Sequence, residues 1–177
     1  MPPAPIPIWI LAEVDRALAA DPTDQAIVIW HAAAAATLGD VYRRAGQRDK
    51  GMRLTKAGIA ELENLLAKKP PAPGDIYYPL AEGHHALAED ALQQGSLRGA
   101  LAEFAEEAVA IPDDLDVYRL RGENQMSAAA VEQRLSSVKE ADARRRLARE
   151  DADRVLGVHP DNPLAARLRL AAEAALR

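Results

Sequence analysis

The chain contains no cysteine, and that absence excludes disulfide frameworks, thiol nucleophiles and thiolate metal sites together. Aromatic residues amount to 4%, with a single phenylalanine, and β-branched residues are thinly scattered, a mix that argues against a pleated sheet core. Long hydrophobic runs are missing too. The most apolar stretch, residues 26–38, contains His31 and spans only about a dozen residues against the roughly 20 that cross a bilayer, so it reads as a buried helix and no membrane partner is expected. Met1, Pro2, Pro3, Ala4, Pro5, Ile6 and Pro7 bring no basic residue ahead of an apolar segment. They do not resemble a secretory signal, and the expected setting is cytoplasmic. Positive charge is not in excess: 22 Lys and Arg against 27 Asp and Glu leave a formal charge of −5, which makes nucleic acid a poor partner.

What the chain does have is alanine, 38 of 177 residues, and this favours helix throughout. The length suits a single domain or a short array of stacked units that share one core. Helix breakers recur in similar clusters, at Asp21-Pro22-Thr23-Asp24, at residues 69–75, at Pro112-Asp113-Asp114, and at Pro160-Asp161-Asn162-Pro163. Each joins a proline to a polar residue able to cap the next helix. Their prolines are spaced by 48, 42 and 48 residues, the period that repeated helical hairpins produce. The expected organisation is one helical-repeat domain: an N-terminal helix in residues 1–21, units at 22–70, 71–112 and 113–160, and a capping helix in 161–177.

A softer break divides the first two units, at Gly46-Gln47-Arg48-Asp49 and at Gln94-Gly95-Ser96, where a short turn between antiparallel helices belongs. The third unit is ambiguous. Ser137 with Glu140 has the spacing of a capping box that starts a new helix, but one long helix through the unit satisfies the pattern equally. Apolar stripes at helical spacing support the division: Leu80, His84, Leu87, Ala88, Ala91 and Gly95, then Leu97, Leu101, Phe104, Ala108 and Ile111. Residues 8–20 are expected to form a helix with Ile10, Leu11, Val14 and Leu18 inward.

Leu87, Ala88, Ala91, Gly95, Ala100, Phe104, Ala108 and Pro112 resemble the tetratricopeptide repeat signature, and Leu38, Gly39, Tyr42 and Gly46 repeat its first half 49 residues earlier. Ala148, Ala152, Val155 and Pro160 resemble the end of a further unit. The units are longer than that family's, and Gly51, Thr55 and Gly58 stand where its signature prefers Ala, a large residue and Ala, so the likeness is nearest to the long-repeat helical regions attached to bacterial signalling proteins. The resemblance implies an all-α fold, a right-handed stack of antiparallel hairpins with about seven or eight helices forming an α-solenoid. It also implies a groove, lined by the first helix of each pair, that binds a peptide or helix of a partner protein. Register places Asp40, Arg43, Arg44, Glu82, His85, Glu89 and Gln93 toward that groove, although plain solvent exposure accounts for these polar residues as well. The Lys and Asn pattern with which some members clamp a C-terminal carboxylate is absent, because Ala36 and Asp40 stand there.

Catalytic and metal-binding patterns find little purchase. His84 and His85 are adjacent, hence about 100° apart on a helix, and His84 reads as a packing residue; His31 and His159 are isolated in sequence. No metal-ligand spacing, nucleophile elbow, phosphate loop or dinucleotide fingerprint occurs, and no cofactor is expected. Glu103, Glu106 and Glu107 read as a solvated face. Arg144, Arg145, Arg146 and Arg149 are interleaved with Glu140, Asp142, Glu150 and Asp153 at four-residue spacing, the pattern of a salt-bridged helix surface. The expectation is a non-catalytic adaptor. The alternatives are a small-ligand sensor or enzyme using carboxylates between hairpins, and a scaffold that self-associates into a homo-oligomer through an uncapped end.

Overall fold

A computed structural model describes residues 8–68, 74–110 and 115–177. The breaker clusters at 69–73 and 112–114 lie outside them, as do Ile111 and the side chains of Ile10 and Ala108. The described residues form eight helices and no strand: α1 (Ile8–Ala20), α2 (Gln25–Arg44), α3 (Arg48–Ala67), α4 (Gly74–Gln93), α5 (Leu97–Ala110), α6 (Leu115–Arg134), α7 (Val138–Val158) and α8 (Pro163–Ala175). The fold class is all-α, with consecutive helices packed in a helical-repeat arrangement. Two compact units divide at Leu87 and Ala88, inside α4.

Three turns share one construction. Gly46, Gly95 and Ser136 have φ of 82°, 76° and 63°. In each turn that residue donates its N–H to the carbonyl three residues back, and the next residue donates to the carbonyl five back, as in Gln47 to Tyr42 at 2.9 Å, Ser96 to Ala91 at 2.8 Å and Ser137 to Glu132 at 2.9 Å. These are Schellman closures, which satisfy the last carbonyls of a helix at the cost of one left-handed residue. The third unit is therefore a hairpin, α6 and α7, and the single-long-helix reading is excluded. Its second helix starts after Ser137 without the capping box, because the Ser137 side chain makes no cap hydrogen bond.

In the first unit α2 packs on α1 and α3. The helix-breaking cost of glycine in α2 and α3 has a reason in packing: a Cβ on Gly51 would sit 2.4 Å from the Gly39 carbonyl oxygen, and one on Gly58 would sit 2.5 Å from the Ala32 carbonyl oxygen. Only hydrogen fits at such crossings. Thr55 is fully buried among them and donates its hydroxyl to the Ala36 carbonyl at 3.4 Å. Ala32, Ala36, Leu38, Tyr42, Ile59 and Leu62 form the adjoining core, with Leu80 and Leu87 of α4 also buried. Leu11, Val14 and Leu18 of α1 are partly buried, as their spacing predicts. Residues 26–38 are helical, but Trp30 within them is 71% exposed, so the run is buried on one side only.

The second unit encloses Phe104 (1% exposed) among Ala88, Ala100, Ala128 and Val131. Truncating a buried phenylalanine to alanine costs about 3–5 kcal/mol. Further along, Ala148, Ala152, Leu168 and Ala172 pack with Met126, and Tyr118 packs with Val155 and Ala165. The arginine-rich stretch of α7 differs from its expected pairing. Arg144 donates to Gln125 at 3.2 Å and lies 3.5 Å from Glu132, while Arg145, 9% exposed, reaches Asp142 at 2.9 Å and Gln133. Arg144 and Arg145 thus brace α7 to α6, which presents amide and carboxylate acceptors across the crossing, while Arg145 also keeps an ion pair within α7 and Arg146 is exposed.

Candidate functional site

Helices α1 and α2 are joined by a short capped turn. Asp24 is the N-cap of α2 and accepts from the Ala26 and Ile27 N–H groups at 2.8 and 3.4 Å, covering two of the donors that every helix start leaves open. Asp21 accepts from the Thr23 hydroxyl at 2.8 Å and from the Thr23 and Asp24 N–H groups at 3.1 Å each. The Thr23 hydroxyl first, then the Thr23 N–H, hold the Asp21 carboxyl below its ordinary value of 3.8.

Beyond this turn the two helices leave a groove of about 510 Å³ between Glu13, Val14 and Ala17 of α1 and Ala26, Ile27 and Trp30 of α2. Its walls are almost wholly apolar. Trp30 stands over it 71% exposed, and Trp9, 68% exposed, continues the line of Glu13 and Ala17 by one helical turn. Both tryptophans of the chain are thus largely uncovered on one hairpin. Residues 8–36 carry four carboxylates, Glu13, Asp15, Asp21 and Asp24, against one arginine, Arg16; Arg16 pairs with Glu13 on the surface.

Next to Trp30, His31 ties three helices together. Its Nε2 lies 3.2 Å from Asp15 Oδ1 on α1 and its Nδ1 lies 2.9 Å from Glu61 Oε2 on α3. Sequence separation had left this histidine isolated; its partners are 16 and 30 residues away. His84 is buried, as its stripe position predicts, with Nε2 3.8 Å from Glu63 Oε1. Among the described residues no group of three or more His, Asp or Glu side chains is placed to hold a metal ion, and no helix is long and apolar enough to cross a membrane.

The residues that register places toward a groove have varied surroundings. Asp40, Arg43 and Arg44 form one ion-paired group: Arg43 donates from Nε and Nη2 to Asp40 Oδ1 at 3.0 and 2.6 Å, and Arg44 Nε lies 2.6 Å from Asp40 Oδ2. The Arg43 side chain is 2% exposed and so is part of the packing, whereas Arg44 is 65% exposed. Glu82 and Gln93 are exposed, and His85 and Glu89 are half-buried. Glu82 and His85 belong to the first unit, Glu89 and Gln93 to the second. The α1–α2 groove was not among the sequence-predicted features. Residues 26–38 are apolar around the whole helix, and such a pattern does not distinguish an inward tryptophan from an outward one. The usable signal was the presence of both tryptophans in one short hairpin.

No protein-family model, curated protein or solved structure matches the chain.

Proposed function

We propose that this protein is a non-catalytic interaction module that receives an amphipathic helix of a protein partner, and that its hairpins are of the tetratricopeptide-like kind. The observation that carries the reading is the apolar groove between α1 and α2 with Trp30 uncovered beside it. Amphipathic helices lay apolar side chains into such grooves, and a well-seated tryptophan is the residue type that contributes most at interfaces. The surplus of carboxylates around the groove favours a helix with basic flanking residues. The recurrence of one hairpin turn at Gly46, Gly95 and Ser136 supports the repeat reading.

The test is affinity capture from native cell extract with the wild type, with Trp30→Glu, and with an Arg44→Glu, Glu82→Lys variant, all shown helical by circular dichroism. Loss of a partner with Trp30→Glu alone supports the α1–α2 groove. Loss with the Arg44→Glu, Glu82→Lys variant alone moves the site to those exposed polar residues of the first unit. Retention of the same partners by all three proteins refutes both placements.

A further inference from the structure

The hairpins are in numerical register. A shift of 49 carries α2 onto α4 and a shift of 90 carries α2 onto α6; each of these helices has 20 residues. A shift of 138 carries α1 and its turn onto the end of α7 and its turn: Ala20 onto Val158, Pro22 onto Pro160, and the N-cap Asp24 onto the N-cap Asn162. By this register α1 is the counterpart of the second helix of a hairpin, and α8 is the counterpart of a first helix.

In the second unit α6 covers α7 and α8. Beneath it lie Asp151, Ala152, Val155, Ala165 and Leu168, touched by Arg121, Gly122, Tyr118 and Met126. Carried back by 138, those five positions are Glu13, Val14, Ala17, Ile27 and Trp30, five of the six residues that line the groove. By register the groove therefore stands where the α7–α8 surface receives α6.

Charge identifies what fits. In α2–α3, His31 pairs with Glu61; shifted by 90, these positions are Arg121 and Asp151, which pair through Arg121 Nε at 2.9 Å. His31 also pairs with Asp15, and shifted by 138 these are Arg169 and Asp153, which lie 3.4 Å apart. Arg169 therefore holds the position of the cation that bridges backward to the preceding helix and forward to its own hairpin partner. The backward partner is present, and Arg169 also pairs with Glu173 of its own helix at 3.1 Å, a contact it would share or exchange on docking. The forward carboxylate, by the same register, is Glu13. Leu170, 65% exposed, has the register of Gly122, where a Cβ would come within 2.5 Å of the end of the Leu168 side chain, the counterpart of Trp30, so a leucine there fits only against a Trp30 ring that turns aside.

We infer that α8 of one molecule docks in the α1–α2 groove of a second copy of this chain and completes a hairpin with its α1, with Arg169 on Glu13 and Leu170 against Trp30. This rests on the groove reading above and specifies its occupant. The contact joins unlike surfaces, so it propagates head to tail. Each molecule keeps one groove and one α8 to offer.

The test uses sedimentation velocity on the full chain, with Trp30→Glu disabling the groove and Leu170→Glu disabling α8, both substitutions being at exposed positions. The wild type is expected to gain mass with concentration while its tryptophan emission moves to shorter wavelength. Each variant alone stays monomeric, and an equal mixture of the two forms a dimer and no larger species, because one intact groove meets one intact α8. Glu13→Arg should weaken wild-type association about tenfold or more, and mixing it with Arg169→Glu should restore part of that loss. A monomeric wild type that still captures a Trp30-dependent foreign partner overturns the self-association and leaves the groove reading standing. A monomeric wild type with no Trp30-dependent partner overturns both. Association of either variant with itself as strongly as the wild type overturns the head-to-tail geometry.

Discussion

Gly39 and Gly51 face each other across α2 and α3 so closely that a Cβ on Gly51 would lie 2.4 Å from the Gly39 carbonyl oxygen and 2.7 Å from the Arg43 nitrogen. Both obstacles are backbone, which cannot swing aside. Gly51→Ala is therefore expected to cost about 2–3 kcal/mol by forcing the helices apart, although alanine is the better helix former. Urea denaturation followed by circular dichroism reads this directly, and a stabilised variant would refute the close crossing.

Ser136 occupies with φ 63° the turn position that Gly46 and Gly95 occupy with φ 82° and 76°. A serine pays a left-handed penalty that glycine does not. Ser136→Gly should raise stability by about 0.5–1 kcal/mol, and Gly46→Ala, which meets no neighbouring atom, should lower it by about 1 kcal/mol through strain alone. Thermal melts of the two variants should move in opposite directions.

Asp151 is 5% exposed at its side chain, and its two oxygens take the Arg121 guanidinium from α6. Removing the carboxylate takes away the two-oxygen partner of a partly buried guanidinium between α6 and α7. Asp151→Ala is expected to destabilise by about 3 kcal/mol, and the Arg121→Leu, Asp151→Leu pair should recover much of that loss. A double-mutant cycle gives the coupling.

Asp21 gives a sign for acid titration. Its folded carboxyl titrates below 3.8, chiefly because the Thr23 hydroxyl donates to the charged form. The unfolded chain then binds the proton more readily, so the stability this group contributes is present above 3.8 and is lost as pH falls through the lower folded value. Carboxyl chemical-shift titration should place Asp21 below an ordinary aspartate, and Thr23→Ala should move it up. No movement with Thr23→Ala would mean that the hydroxyl is not the cause.

Asn124, 1% exposed, donates from Nδ2 to the Phe104 carbonyl at 3.0 Å, while its buried Oδ1 has no hydrogen-bond partner among the described residues. An unpaired buried oxygen costs about 1–3 kcal/mol. Asn124→Leu, with the same number and branching of side-chain heavy atoms, should leave stability unchanged or higher, and Asn124→Ala should lower it by opening a cavity. Equilibrium unfolding of both separates the polar effect from the packing effect.

Much of the hairpin layout was legible because its signals are local. The Asp24 and Asn162 caps, the Gly46 and Gly95 turns and the apolar stripe around Phe104 each act within a few residues. The third turn was ambiguous because Ser136 does a glycine's work there without a glycine's signature. Gly51 and Gly58 read as departures from a repeat pattern, yet they are where the α2 backbone lies closest. The candidate site was not legible. Trp30 sits in an apolar run, and whether its ring faces inward depends on which side of α2 meets α1 and α3.

By itself the sequence determined that this chain is helical, where most of its helices begin and end, and the spacing at which they repeat. Propensity, capping and turn chemistry operate between near neighbours along the chain. Tertiary structure decided which polar residues became internal braces, as with Arg43, Arg145 and the pair Arg121 and Asp151. It also decided that the other described residues leave the apolar surface beside Trp30 uncovered. Burial and ion pairing depend on side chains tens of residues apart meeting across a crossing, and no local pattern encodes the angle and offset at which two helices pack.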